Sequence, residues 1–231
     1  FADCIASLGT DCFKMDEWGV DLMISACQKG LMTPPGLSFV WFNKKAEQAR
    51  LQKQIVSSYW DWLPRTNVKR YYQYFCGTAP THHIYGLRTA LDMMIKENNL
   101  ESIWQKHLNL SSAIWAAFEC WSEFGNIELN IKEQSLRSNA VTAASISKGG
   151  AKKLQDWCEK NSDLTLGIGL GMADQEDIKI HDFFRIGHMG HINTTMVLGV
   201  ISTIDVALKA LNIPHGQNAL DAASKKLSIS F

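Results

Sequence analysis

The chain has no surplus of charge. Its 23 lysines and arginines are matched by 23 aspartates and glutamates across 231 residues, a formal net charge of zero. Without a basic field or a polybasic run it offers no electrostatic footprint for nucleic acid and none for a membrane surface. Long apolar runs are missing too: even Met196 to Leu211 carries Asp205 and Lys209, so no segment approaches a membrane-spanning length. None of the six cysteines (Cys4, Cys12, Cys27, Cys76, Cys120 and Cys158) forms a C-x-x-C pair, and their spacing supplies neither a disulfide framework nor a metal site. They are expected to be reduced and mostly buried, in a cytoplasmic protein. His188 and His191 form H-x-x-H, but no second pair of ligands lies at a suitable spacing, so no metal is expected. The segment reads as a loop near substrate. Gly167-x-Gly169-x-Gly171 lacks the lysine and hydroxyl of a phosphate loop and reads as a turn that lets backbone approach a site. No repeat or low-complexity segment is visible. What remains is 46% hydrophobic and 20% charged, an ordinary globular balance with an ample core in one or two domains.

The stretch that organises the rest is Ser25-Ala26-Cys27-Gln28-Lys29-Gly30-Leu31-Met32-Thr33-Pro34-Pro35-Gly36. An apolar run from Val20 to Ile24, broken only by Asp21, leads into it. A lysine after such a run is ordinarily a solvated strand end. Here a glycine and two prolines surround it with a rigid turn. An ammonium held beside apolar walls is destabilised and gives up its proton more easily, leaving an amine that condenses with a carbonyl. Upstream, Phe1-Ala2-Asp3-Cys4-Ile5-Ala6-Ser7-Leu8-Gly9 places an acid where an apolar segment gives way to small residues, as at the C-terminal end of a strand. In open α/β sheets that end faces the ligand crevice. One carboxylate and one lysine at the same sheet edge are what pyridoxal 5'-phosphate requires: the amine holds the aldehyde as a Schiff base, and the acid keeps the pyridine nitrogen protonated so that the ring draws electrons from a carbanion. Cys4 and Cys27 flank this site as reactive thiols or as small apolar filler.

The pair D-x-x-A-S-L-G and S-x-x-Q-K-x-L-x-x-P-P-G resembles the alanine–glyoxylate and serine–glyoxylate aminotransferases of class V, fold-type I. The resemblance continues through Gly77-Thr78-Ala79-Pro80-Thr81 and Tyr85-Gly86-Leu87-Arg88 to Arg185-Ile186-Gly187-His188-Met189-Gly190. It implies that Lys29 is the Schiff-base lysine, that Asp3 partners the pyridine nitrogen, and that Ser7 and Gln28 lie close to the cofactor. It also implies that Thr78 meets the cofactor phosphate across a homodimer interface and that Arg185 binds the substrate carboxylate. The family places a tyrosine three positions before that threonine, where this chain has Phe75 with Tyr74 adjacent. Because the family's phosphate-binding turn and ring-stacking residue precede this point, and the chain starts at Phe1, the sequence is read as the C-terminal portion of a longer enzyme.

Along the chain, strands are expected at 1–8, 20–26, 38–42, 127–131, 141–146, 164–168 and 183–186. Helices are expected from Asn43 to about Lys53, from a Thr81 N-cap to Glu97, from Glu101 to about Glu123, from Gly150 to about Lys160, after Asn193, and from Gln217 to Leu227. The helix at 82–97 should turn Tyr85, Leu87, Leu91, Met94 and Ile95 inward, and the next one Ile103, Trp104, His107, Leu108, Ser111, Ile114, Trp115 and Phe118. His107 on that stripe reads as a satisfied core histidine. Trp60, Tyr71 and Tyr72 interleave with Arg65, Lys69 and Arg70, which reads as packing or a subunit interface rather than a single-strand platform. Arg185 in an apolar strand needs an anion, either a structural acid or a substrate carboxylate held by two parallel hydrogen bonds. The fold expected is α/β: residues 1–98 as the C-terminal part of a large cofactor domain, and 99–231 as a small domain with a mostly antiparallel sheet.

The function expected from the resemblance is transfer of an amino group from a small amino acid, alanine or serine, to a 2-oxo acid such as glyoxylate or pyruvate, through a lysine aldimine. Pyridoxamine–pyruvate transaminase is the alternative within the group. Cysteine desulfurases carry histidine before the lysine, where this chain has Gln28. A non-catalytic binding or assembly module is the alternative outside it.

Overall fold

The structure is a computed structural model that describes residues 1–66, 68–97, 99–174 and 176–228. The backbone divides into two compact units, Phe1–Ile103 and Trp104–Phe231.

The first unit carries a three-stranded sheet of β1 (Ala2–Asp3), β2 (Leu22–Ala26) and β3 (Ser38–Phe42), in that order. β1 runs parallel to β2, with Asp3 opposite Ile24, and β3 runs antiparallel to β2 from Leu22↔Phe42 to Ala26↔Ser38. The strand expected over 1–8 stops at Asp3. Its Oδ1 accepts from the Ile5 amide at 2.9 Å, and the Leu8 amide donates to the Cys4 carbonyl at 3.0 Å. These backbone groups are satisfied inside a tight turn instead of in a ladder. α1 (Lys44–Leu51) starts at Asn43, whose side chain accepts from the Ala46 amide at 3.0 Å, and buries none of its residues. α2 (Thr81–Asp92) corrects one expectation: Thr81 is already helical and Pro80 holds the cap position without a side-chain bond. Proline fits a helix start because the amide it lacks would have no partner there. A π-turn over Met93–Glu97 extends the helix. Met94 is buried, but Tyr85 is 75% and Ile95 61% exposed, so the inward stripe is narrower than the periodicity predicts. Trp60, Tyr71, Tyr72 and Tyr74 are exposed as well, outside any core of this unit.

The second unit is built on a four-stranded sheet of order β4-β5-β7-β6, with β4 (Ile127–Leu129), β5 (Val141–Ile146), β6 (Gly167–Ile168) and β7 (Phe183–Gly187). Every pairing is antiparallel. The helices are α3 (Leu100–Trp121), most of which belongs to this unit, α4 (Gly150–Ser162), α5 (Thr194–Ala210) and α6 (Ala219–Ser228). Thr142, Ala144 and Ile146 of β5 and Phe184 and Ile186 of β7 are buried, the period-two signature of a sheet with one covered face. All but Thr142 share a core with Ile114, Phe118 and Trp121 of α3, Leu154 of α4, and Ile201, Ile204 and Leu208 of α5. Each isoleucine, leucine or phenylalanine side chain there contributes about 1.5–3 kcal/mol on burial. Phe118 meets Trp121 edge-on at 5.1 Å, and the Trp121 indole donates to Asp205 at 3.1 Å. Gly125, at φ +72°, closes the 3-10 turn that ends α3. Asn193 caps α5 by accepting from the Met196 amide at 2.9 Å.

Gly167 and Gly169 approach strand β7 rather than a ligand. A Cβ on Gly169 would lie 2.3 Å from the Phe183 Cβ, and one on Gly167 would lie 3.2 Å from the Arg185 carbonyl. The glycines let β6 lie against β7. No helix of the described residues is long and apolar enough to cross a membrane.

Candidate active site

Parallel pairing brings the C-terminal ends of β1 and β2 side by side. Asp3 is the last residue of β1, and Lys29 follows β2 by three residues. The two stretches are tied repeatedly: the Cys4 amide donates to the Ile24 carbonyl at 2.8 Å, and the buried Ser25 hydroxyl donates to the Cys4 carbonyl at 3.0 Å. Beyond the strands, Gly30 is buried and packs on the turn that follows Asp3. A Cβ there would lie 2.1 Å from the Leu8 carbonyl oxygen, so only glycine permits the approach.

The loop carrying Lys29 is stapled at its base by Cys27 and Thr33. The Cys27 carbonyl accepts from both the Thr33 amide at 3.1 Å and the Thr33 hydroxyl at 2.8 Å. The Cys27 thiol donates to the Pro34 carbonyl at 3.1 Å and accepts from the Leu37 amide at 3.3 Å. Within the loop, the Met32 amide donates to the Lys29 carbonyl at 3.0 Å, and Met32 takes φ +60°. On the far side, His83 Nε2 lies 3.0 Å from the Pro35 carbonyl, joining the first turn of α2 to the same loop.

The structure therefore gathers Asp3, Ser7, Gln28 and Lys29 at one end of one sheet. Asp3 and Gln28 are exposed; Ser7 and Lys29 are half-buried. Among the described residues neither Lys29 nor Asp3 is engaged in an ion pair. An amine and a carboxylate in that condition, on a backbone held rigid by Gly30 and Thr33, fit a ligand with an aldehyde and a basic ring nitrogen such as pyridoxal phosphate. Cys4 makes a poor nucleophile: burial pushes its thiol up, outweighing a hydrogen bond with Ser7. Cys27 is a structural hub rather than filler. Thr78 lies exposed in the loop before α2, in the same unit.

Arg185 belongs to the second unit, on β7. It is half-buried, its Nε donates to the Ile168 carbonyl at 2.6 Å, and among the described residues no carboxylate pairs with it. The structural-acid alternative is thus not found there. His188 is not an open loop residue: it is 2% exposed, with both ring nitrogens in hydrogen bonds to protein atoms. Neither Thr33 nor His83 stands out in the sequence as part of this loop. The available signal was that Thr33 precedes Pro34, where an extended backbone frees a hydroxyl for local bonding.

Residues 1–195 match the family model for aminotransferase class-V. The chain is 30% identical over 217 residues to the L-aspartate–glyoxylate aminotransferase of Paracoccus denitrificans, covering 93% of this chain and 51% of the relative. It is 32% identical over 215 residues to the serine–glyoxylate aminotransferase of Arabidopsis thaliana, covering 92% and 50%. Its fold is similar to that of the pyridoxamine–pyruvate aminotransferase of Mesorhizobium loti, with a TM-score of 0.84 at 19% identity over 99% of this chain and 57% of that one. The chain spans about half the length of the curated relatives it matches. With the matched region running from Asp3 and the Lys29 loop through Thr78 to Arg185, the chain belongs to the aminotransferase class-V family.

Proposed function

We propose that the protein is a pyridoxal phosphate-dependent aminotransferase that moves an amino group from a small amino acid, alanine or serine, to glyoxylate or pyruvate. It works as a cytoplasmic homodimer, with residues 1–98 in its cofactor domain and 99–231 as its small domain. The observation that carries this reading is the parallel pairing of β1 with β2. It leaves an amine and a carboxylate, neither engaged in an ion pair among the described residues, at one sheet end, with Gly30 seated on the Leu8 carbonyl.

In this reading Lys29 would hold the cofactor through its amine and, once freed, would move a proton to and from the substrate α-carbon. Asp3 would face the ring nitrogen and keep it protonated. Ser7 and Gln28 would line the cofactor, and Thr78, supplied across the dimer, would sit at its phosphate. Arg185 grips the substrate carboxylate through two parallel hydrogen bonds, which holds the bond to be broken in position. The cofactor, when bound, supplies the electron sink.

Borohydride reduction of the cofactor-loaded protein, followed by peptide mapping, tests the assignment. The label is expected on Lys29 and is lost in Lys29→Ala. A label on another lysine, or none in the wild type, overturns it. Assaying alanine and serine against glyoxylate and pyruvate, beside free pyridoxamine against pyruvate, then separates amino-acid transamination from pyridoxamine transamination.

A further inference from the structure

β7 meets β6 over two residue pairs only, so its register is set against β5, over five pairs, and by its buried Phe184 and Ile186. In that pairing Arg185 lies opposite Ala143 while Ile186 lies opposite the buried Thr142. Successive residues of a strand point to opposite faces, so a slip of one position would exchange Arg185 with its buried neighbours.

His188 sits one residue beyond the strand and bonds to β5 or its lead-in three times. Its amide donates to the Ala140 carbonyl at 2.8 Å. Its Nδ1 lies 3.0 Å from the Asn139 carbonyl oxygen, and its Nε2 lies 2.8 Å from the Thr142 hydroxyl. A carbonyl only accepts, so Nδ1 carries the ring proton. In the neutral ring Nε2 must then accept, and the Thr142 hydroxyl donates to it. That hydroxyl in turn accepts from the Trp115 indole at 3.1 Å. The result is one directed chain, from Trp115 through Thr142 and His188 to Asn139, with no spare donor. Next to it the Gly190 amide donates to Nε2 of the buried His107 at 3.1 Å.

We propose that His188 is a positioning residue: its ring, read through Thr142 and Asn139, locks the register of β7 on β5 and thereby holds Arg185 on the face opposite the core. This rests on the reading of Arg185 as the carboxylate-binding residue. Burial pushes His188 down to about 4, which keeps the ring neutral and the chain of donors intact near neutral pH.

The test uses the cofactor-loaded protein and two variants, Thr142→Val and Thr142→Ser. Valine keeps the shape and removes the hydroxyl, breaking the chain at Nε2; serine restores it. For Thr142→Val, KM for pyruvate rises about tenfold with kcat within about twofold, the pattern of lost ground-state binding. Thr142→Ser returns KM to within about twofold of wild type. Borohydride labelling of Lys29 stays at the wild-type level in both, so loss of the label in the wild type would strike the enzyme assignment and not this one. An unchanged KM in Thr142→Val overturns the proposal. Nitrogen-15 NMR of the wild type gives a second readout that no folding defect can spoil. The His188 ring is expected as the Nδ1–H tautomer, unprotonated at pH 6; an Nε2–H tautomer, or a charged ring at that pH, overturns it.

Discussion

Gly30 and Thr33 fix the Lys29 loop from its two sides, one by having no side chain and the other by the hydroxyl it carries. Replacing Gly30 with alanine drives a Cβ into the Leu8 carbonyl oxygen, a backbone atom that cannot turn aside as a flexible side chain would. We predict a loss of more than about 2 kcal/mol in urea-unfolding stability. Gly77→Ala is the control: nothing lies within 4 Å of its Cβ position, and its cost should stay within about 1 kcal/mol. Thr33→Val leaves the shape and removes the bond to the Cys27 carbonyl. It should weaken the base of the loop by about 1 kcal/mol, read as roughly fivefold faster amide exchange at Thr33 itself. Lys29 and Asp3 stand out in the sequence as chemistry-bearing residue types against apolar neighbours, and the roles proposed for them come from the family resemblance. Thr33 does not stand out, because a threonine hydroxyl has no meaning until the chain has folded a carbonyl against it.

At the level of elements, the β5–β7 pair carries a pH dependence. The His188 ring is held at about 4 against an ordinary value near 6.5, chiefly by burial, with the neighbouring His107 adding to the penalty on its charged form. A lowered histidine value means that the unfolded chain takes up the proton first. The stability linked to this ring is therefore complete above about pH 6.5 and is lost as the pH falls toward 4. A shift of this size corresponds to roughly 3 kcal/mol. We predict that urea-unfolding stability falls between pH 7 and pH 4.5, and that His188→Phe removes about 2–3 kcal/mol of that fall; an equal fall in the variant would refute it. Elements with a local signature were readable in advance. β3 and β5 alternate or cluster β-branched and aromatic residues, and α1 and α5 begin at asparagine caps. β1 is shorter than its apolar run predicts because a strand and a turn compete for the same residues, and the Asp3 carboxylate decides for the turn. The buried stripe of α2 is narrower than its periodicity predicts: periodicity says which residues share a face, not how much of that face another element covers.

For the whole molecule, zero net charge and the scattered apolar surface point the same way. The ion pairs within helices, such as Arg88–Asp92 and Lys209–Asp205, are one turn apart and mostly exposed, and contribute little each. For the homodimer proposed above, Trp60, Tyr71, Tyr72 and Tyr74 offer apolar surface on the first unit, all of them exposed. If this is where two copies meet, sedimentation equilibrium should show a dimer for the wild type and a monomer for a Trp60→Lys, Tyr72→Lys double variant whose melting temperature is within a few degrees of the parent. A double variant that stays dimeric places the interface elsewhere. The α/β class could be read from element order, but alternating strands and helices by themselves favour a parallel sheet; the antiparallel second sheet was expected only through the family resemblance, and which aromatic residues stay outside required the folded chain.

Because Gly30 rests directly on the Leu8 carbonyl, the lysine loop and the aspartate turn behave as one casting rather than two adjustable parts. An insertion or a bulkier residue in either would shift the other in step. If Arg185 holds the substrate carboxylate as proposed, changes in amino-donor preference should therefore accumulate around the second unit's arginine strand, leaving the joint between Leu8 and Gly30 untouched.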